Sequence, residues 1–367
     1  MAIWLARSVT NRFTAVQSYQ LRIVFSIAII WTLVDASLKL LVSGRGIPIA
    51  GGHRLVTPEA MGLRMGIVFL VSFVMAYILV FRLRNAYRMY PLWKNWLYKG
   101  AWLLIGAFVM NFLVFMTYNY FILHVTVQKG LVLFFKESVY TRSLLVKMIQ
   151  WMATFTITQL FLEINAKYGP GIFRAMMLGK YLVPKKENRI VIFLDLKDST
   201  PIAEKLGSQR YFDFIRDFIA HVSSALTEYD AYIYQYVGDE VVASWKSSPK
   251  NGRRCLSALI DAQRAIRKES DTYRRRYGFV PEFRAGIHSG EVTIGEIGVV
   301  KKDLAMSGDT MNTTARIRTA CSTLKQKYVI SKHFRDLLPL EDWQLTPLGA
   351  IDLKGKAEGV DLYGLNI

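Results

Sequence analysis

Ile190-Val191-Ile192-Phe193-Leu194-Asp195-Leu196-Lys197-Asp198-Ser199-Thr200 decides how this chain is read. Arg189–Leu194 is a short apolar run, long enough for a buried strand, and it ends on the carboxylate of Asp195. Polar residues follow at once, and Thr200–Tyr229 then shows helical periodicity. Further on, Ala231–Val237 and Glu240–Trp245 are rich in β-branched and aromatic residues. Only Gly238 and Asp239 separate them, and that pair reads as a tight hairpin turn. The order is strand, helix, strand, turn, strand, with one acid at a strand end and another in a turn.

That arrangement has a chemical use. A strand-end carboxylate and a carboxylate in a facing turn can lie side by side, where their charges repel. A divalent cation relieves the repulsion, and oxygen ligands suit magnesium or manganese. The residues after Asp195 run into a helix, whose first amides, around Ser199 and Thr200, can bind phosphate. Together these features predict a metal–polyphosphate site. Asp239 is the more telling acid, because Gly238 permits the turn and strands flank it on both sides.

Residues 189–367 resemble the catalytic domain of the class III nucleotidyl (adenylate/guanylate) cyclases. The motifs that carry the resemblance come in family order. They are Phe193-Leu194-Asp195-Leu196, Tyr236-Val237-Gly238-Asp239-Glu240 and Phe283-Arg284-Ala285-Gly286-Ile287-His288-Ser289-Gly290. Gly308-Asp309-Thr310-Met311-Asn312-Thr313-Thr314-Ala315-Arg316 and Leu353-Lys354-Gly355-Lys356 complete the set. Any one is weak; five in order are specific. The resemblance implies an α+β, ferredoxin-like domain that converts a nucleoside triphosphate to a 3′,5′-cyclic nucleotide and pyrophosphate.

It also implies roles. Asp195 and Asp239 hold two divalent cations, with the Leu196 carbonyl assisting. One cation lowers the pKa of the ribose 3′-hydroxyl and the other clamps the triphosphate. Asn312 orients the ribose, and Arg316 stabilises charge building on the α-phosphate. Arg284 and Lys354 contact the terminal phosphates. In this family two catalytic domains share each site, so Asn312 and Arg316 serve the nucleotide held by the partner's aspartates. One chain carries both sets, which implies an obligatory homodimer.

Two departures bear on the substrate. The family reads its base at the positions of Gln235 and Ala305. Adenylate cyclases usually place Lys with Asp or Thr there, and guanylate cyclases Glu with Cys. Gln235 both donates and accepts, which suits adenine, while Ala305 offers no side-chain hydrogen bond. ATP is the expected substrate; GTP or a pyrimidine triphosphate is the alternative. Lys197-Asp198-Ser199-Thr200 also stands where many members have a Gly-Phe-Thr stretch, so the phosphate loop is expected to differ in shape. His288 reads as a satisfied strand-end histidine.

Working outward to the N-terminal side, the composition changes. The chain has 367 residues, a formal net charge of +19 and 52% hydrophobic residues. Residues 1–189 carry 22 Lys plus Arg against 5 acids, hence +17; residues 190–367 carry 25 against 23, hence +2. The basic excess thus coincides with the long apolar runs, which points to a membrane bundle and away from nucleic acid. About four spans are predicted, near 21–42, 60–81, 97–123 and 144–164. Arg82, Arg84, Arg88, Lys94 and Lys99 crowd the second link, and other basic residues flank the first and last spans. Both termini are then cytoplasmic, in a multi-pass protein of the cell (inner) membrane.

Residues 1–20 lack a cleavable signal and read as an interfacial amphipathic helix. Residues 165–188 read as a linker or coupling helix. Asp35 and Lys39, four apart in the first span, are expected to pair across one helix face. The membrane half carries no motif that names a ligand or partner of its own. Cys255 and Cys321 are too few for a disulfide framework or a Cys-based zinc site. The leading expectation is a membrane adenylate cyclase. A non-catalytic cyclase-like receptor module is the alternative of another class, and the complete set Asp195, Asp239, Asn312 and Arg316 argues against it.

Overall fold

The computed structural model describes residues 15–44, 57–83, 90–139, 143–168, 172–300, 302–338, 344–352 and 359–367. Lys354, most of the interfacial segment (1–14) and the middle of the linker (169–171) lie outside them. The chain forms two compact units, Met1–Lys167 and Tyr168–Ile367.

The first unit is helical. Its long helices are α1 (Ala15–Gly44), α2 (Pro58–Tyr77, continuing as π-helical turns over Ile78–Leu83), α3 (Leu92–Phe121) and α5 (Ser143–Tyr168); the short α4 (Val127–Leu133) precedes α5. Four segments are long and apolar enough to cross a membrane: Gln17–Leu41, Pro58–Leu83, Trp93–Phe121 and Leu144–Asn165. Ala15–Gln20, read from sequence as the end of an interfacial helix, form the first turns of α1.

Apolar contacts gather Val24, Ile27 and Trp31 of α1 with Val68 and Ala76 of α2, Met110 of α3, and Trp151 and Phe155 of α5. Trp31 lies 4.5 Å from Phe155, ring centre to ring centre, and its indole N–H donates to Thr158 at 2.9 Å. Large apolar side chains such as Leu70, Ile105 and Ile157 face outward, as lipid-facing residues do. Inside, Asp35 is 4% exposed and accepts both Nε and Nη2 of Arg64, at 2.7 and 2.8 Å. The partner that reaches Asp35 from α2 is invisible to helical spacing, which displays only Lys39. A second pair joins Lys99 to Glu163 at 3.1 Å, with Gln159 donating to the same carboxylate at 2.7 Å.

The second unit opens with α6 (Ile172–Met177) and is built on one mixed sheet. Its strands are β1 (Lys185–Leu196), β2 (Tyr232–Val237), β3 (Glu240–Lys246), β4 (Phe283–Ile297), β5 (Asp303–Ser307), β6 (Tyr328–Ser331), β7 (Leu345–Ile351) and β8 (Val360–Leu365). They run in the order β2-β3-β1-β4-β6-β8-β7, with β5 paired to the far half of β4. The strand β1 starts earlier than its apolar run. Lys185–Asn188, read from sequence as linker, pair with Glu291–Ile294 of β4, and Lys186 meets Glu291 at 2.8 Å.

Period-two alternation decides the layers. Ile190, Ile192, Leu194 and Leu196 of β1 join Val241, Ala243 and Trp245 of β3 in the main core. That core lies under α8 (Ser208–Glu228), α9 (Pro249–Lys268) and α10 (Ser270–Tyr277), through residues such as Phe214, Phe218, Leu259 and Tyr273. Residues of opposite parity, Val191 and Val242, belong to a separate core with Leu304, Met306 and Met311. Met311 belongs to α11 (Asp309–Thr323). The helical stretch expected over Thr200–Tyr229 is two helices, α7 (Ser199–Leu206) and α8, because Gly207 at φ 71° breaks it.

Candidate active site

The site lies where β1 ends. Asp195 has the parity of Val191, so its carboxylate leaves the main core and faces the α11 side. It stands opposite Glu240 on β3 and Arg284 on β4. Gly238, at φ 62°, makes the β2–β3 turn and sets Asp239 beside the same strand end. Three carboxylates thus meet: Asp195, Asp239 and Glu240.

Burial pushes the Asp195 carboxyl above the ordinary aspartate range. Arg318 pulls it down, and Asp239, by its charge and as a hydrogen-bond partner, pushes it up again. Glu240 is also raised, chiefly by burial, with Arg318 opposing. Arg318 was not singled out from the sequence. It stretches from α11 to place Nη1 3.3 Å from Asp195 and Nη2 2.7 Å from Glu240. Gly286 on β4 allows that approach, because a Cβ there would sit 2.4 Å from the Arg318 backbone nitrogen. The clue in the sequence was Glu240, an extra acid beside Asp239 that needed a counter-charge.

Asp239 Oδ2, like Glu240 Oε2, is fully buried and accepts no hydrogen bond among the described residues. An orphaned carboxylate oxygen beside a second carboxylate fits an oxygen-seeking divalent cation; Leu196, whose carbonyl is expected to assist, is the last residue of β1. Among the described residues no three His, Cys, Asp or Glu side chains close into a ready-made cage. Glu240, the third acid, is held by Arg318 instead.

Three of the residues expected to bind phosphate, Ser199, Thr200 and Arg284, lie close to this strand end. Asp198, at φ 57° and ψ 38°, makes the left-handed bend after β1, a conformation aspartate tolerates better than most residues. Ser199 and Thr200 then open α7. Tyr211, also missed from sequence, hydrogen-bonds Ser199 and lies near Asp239; burial pushes its phenol up and the Asp239 charge adds to the rise. Arg284 donates to Ser322 at 2.6 Å and comes within 4.0 Å of Asp198.

The positions expected to read the base lie on two strands, β2 and β5. Gln235 is exposed on β2, and Ala305 is half-buried on β5. The adjoining residues tie those strands, since the Met306 N–H donates to the Tyr234 hydroxyl at 3.1 Å. Asn312 and Arg316 share one face of α11, Asn312 exposed and Arg316 half-buried. Among the described residues no hydrogen bond or ion pair joins either to the three carboxylates, whereas Arg318, about 200° round the helix from Arg316, makes two ion pairs there. His288 is buried, with Nδ1 2.7 Å from the Ser331 hydroxyl, as a satisfied strand histidine should be.

A mixed sheet that presents two aspartates beside a helix start, flanked by arginines, defines a nucleotide-handling domain of the cyclase type. Residues 182–366 match the family model of the adenylate and guanylate cyclase catalytic domain. The chain belongs to that family. It is 31% identical over 206 residues to adenylate cyclase 2 of Rhizobium meliloti (strain 1021), covering 56% of this chain and 57% of that one. It is 25% identical over 192 residues to guanylate cyclase 2D of Rattus norvegicus, covering 51% and 17%. The chain therefore spans little more than half, or less, of these relatives. The structure of a bacterial light-regulated adenylyl cyclase shares the fold, with a TM-score of 0.51 and 18% identity over 59% of this chain and 64% of that one.

Proposed function

We propose that this chain is a membrane-bound adenylate cyclase that converts ATP to 3′,5′-cyclic AMP and pyrophosphate as a homodimer. The observation that carries the reading is the division of its polar residues. Asp195 and Asp239 gather at the end of β1, while among the described residues no ion pair or hydrogen bond joins Asn312 or Arg316, which share a helix face, to them. A set so divided supports a site completed by a second copy.

Asp195, Asp239 and the Leu196 carbonyl are the residues to hold two divalent cations, magnesium or manganese. When bound, these supply an activated ribose 3′-oxygen and a neutralised triphosphate. Arg284, the first amides of α7 at Ser199 and Thr200, and Lys354 hold the terminal phosphates. From the partner, Asn312 orients the ribose and Arg316 meets the charge that grows on the α-phosphate. The 3′-oxygen bonds to the α-phosphorus, the bond to the β-phosphate oxygen breaks, and pyrophosphate leaves.

ATP as substrate is supported by the resemblance to the Rhizobium adenylate cyclase and by Gln235, which lacks the acid that guanine favours. Basic flanks on the spans favour a multi-pass inner-membrane protein with both termini and the catalytic unit in the cytoplasm.

Purified full-length protein incubated with each nucleoside triphosphate and magnesium or manganese tests this, with products identified by mass. Cyclic AMP should dominate. No cyclic product from any triphosphate ends the enzyme reading, and dominant cyclic GMP ends the ATP assignment. Asp195→Ala and Arg316→Ala chains, each inactive, should restore activity on mixing; verified heterodimers without activity exclude a shared site.

A further inference from the structure

Three acids and one arginine meet at the end of β1, and a cation pair needs only two of those acids. We propose that Arg318 is a positioning residue that sets the charge of the cation site: it withdraws Glu240 from the ligand set and competes with the incoming cation for Asp195. The inference rests on the proposed cation site at Asp195 and Asp239.

The geometry gives the guanidinium two carboxylates at once. Nη2 lies 2.7 Å from Glu240 Oε2 and Nη1 lies 3.3 Å from Asp195 Oδ2. Glu240 lies the nearer to the guanidinium and is only 8% exposed, so it has little freedom to swing to another partner. Among the described residues Asp239 has no ion pair, and its Oδ2 accepts no hydrogen bond. The arginine thus stands at graded distances from the three acids, nearest to Glu240 and farther from Asp195, with no ion pair to Asp239 among the described residues.

The placement is fixed by backbone. Gly286 lets α11 sit close against β4 at Arg318, and the Arg318 main chain would collide with any Cβ there. The arginine is anchored at its root as well as at its tip. A side chain so held can oppose a cation without leaving the site, unlike a surface lysine.

Both consequences of removing the guanidinium have the same sign. Asp195 loses a competitor, and Glu240 becomes free to add a third negative charge. At a few ångströms each unit charge is a large term even at the effective dielectric of a protein surface. Cation binding should therefore tighten, not weaken, when Arg318 is lost.

Manganese binding to the nucleotide-free, full-length protein in detergent, followed by electron paramagnetic resonance, reads this without any turnover. Arg318→Gln should bind manganese about tenfold more tightly than the parent. Arg318→Gln with Glu240→Gln should return to within about threefold of the parent. Arg318→Lys keeps the charge but not the fork, and should bind about threefold more tightly, giving a milder variant if the glutamine one does not fold. A merely structural ion pair predicts lower melting temperatures and unchanged manganese affinity, which overturns the proposal. A double variant as tight as Arg318→Gln also overturns it, because Glu240 would then play no part.

Asp195→Asn reports on the underlying site. If it leaves manganese binding intact, the cation site itself is wrong and the proposal falls with it. If Asp195→Asn abolishes binding and the parent makes cyclic nucleotide while Arg318→Gln binds like the parent, only the role of Arg318 fails.

Discussion

Two clusters of buried charge, one in each unit, are built on opposite plans. In the helical unit Asp35 meets Arg64 through two nearly equal contacts, a forked cation that takes both carboxylate oxygens. At the end of β1 three carboxylates meet beside the Arg318 guanidinium, with Arg284 opposite Asp195, and among the described residues one oxygen each of Asp239 and Glu240 accepts no hydrogen bond. A closed pair contributes to the fold only as long as both members stay. An open cluster costs stability, and that cost is the mark of a group waiting for a ligand. Charge balance, more than burial, separates the structural acid from the chemical one.

The sharpest way to break this contrast is to remove one acid from each cluster. Asp239→Ala should lower cyclic-nucleotide formation by about a thousandfold or more, since metal and transition-state charge stabilisation are lost together. Its unfolding temperature in chelator should be unchanged or higher, because a crowding charge has gone. Activity near the parent's, or a large drop in melting temperature, contradicts the open-cluster description.

Asp35→Ala should do the reverse. It strands the Arg64 guanidinium, and losing one member of a buried pair costs about 3–5 kcal/mol. Unfolding in detergent measures the loss. Replacing both residues, as Asp35→Leu with Arg64→Met, should recover most of it. If the double variant is as unstable as the single, the pair has obligations beyond its own charge.

A third test bears on how the open cluster keeps its single cation. Gly286→Ala forces a methyl into the Arg318 backbone, and overpacking of this kind costs about 1–3 kcal/mol. It should also tighten manganese binding in the direction of Arg318→Gln, because the guanidinium is displaced. A stability loss without any change in manganese affinity would separate the helix contact from the charge.

The same contrast explains what could be read from sequence. Asp195, Asp239, Asn312 and Arg316 lie in motifs whose local pattern is distinctive, and the spans announce themselves by length. Asp195 at a strand end and Asp239 in a turn need only short-range rules. Arg318 and Arg64 are different. Each is one arginine on a helix, and its meaning arises from an acid on another element. Helical spacing pairs Asp35 with Lys39, and only the packing of α1 on α2 reveals Arg64. The break at Gly207 was legible in principle, since a glycine inside a helical pattern is a standard stop, but the amphipathic pattern runs on through it. The early start of β1 was not legible, because charged Lys185–Asn188 become strand only through the pairing that β4 offers.

The smallest expected effect is a pH dependence that only the open cluster should show. Without divalent cations, burial and the neighbouring acid hold Asp195, and burial holds Glu240, above their ordinary values despite Arg318. A carboxyl raised in the folded state binds its proton more tightly there than in the unfolded chain. Its contribution to stability is therefore complete below the ordinary carboxylate range and is lost as pH rises through the raised folded value. In chelator, the parent should lose melting temperature relative to Asp195→Asn as pH climbs from about 4, the ordinary carboxylate range, toward neutrality. With magnesium the trend should invert, because a cation binds the deprotonated pair and stabilises the parent more as protons leave. Comparison with Asp195→Asn cancels the acids that move the other way, such as Glu282, which its contact with Lys197 holds low. Parallel curves for parent and variant in chelator would mean that the three carboxylates are already balanced. The cluster would then be a second closed pair, and the difference between the two halves of the molecule would vanish.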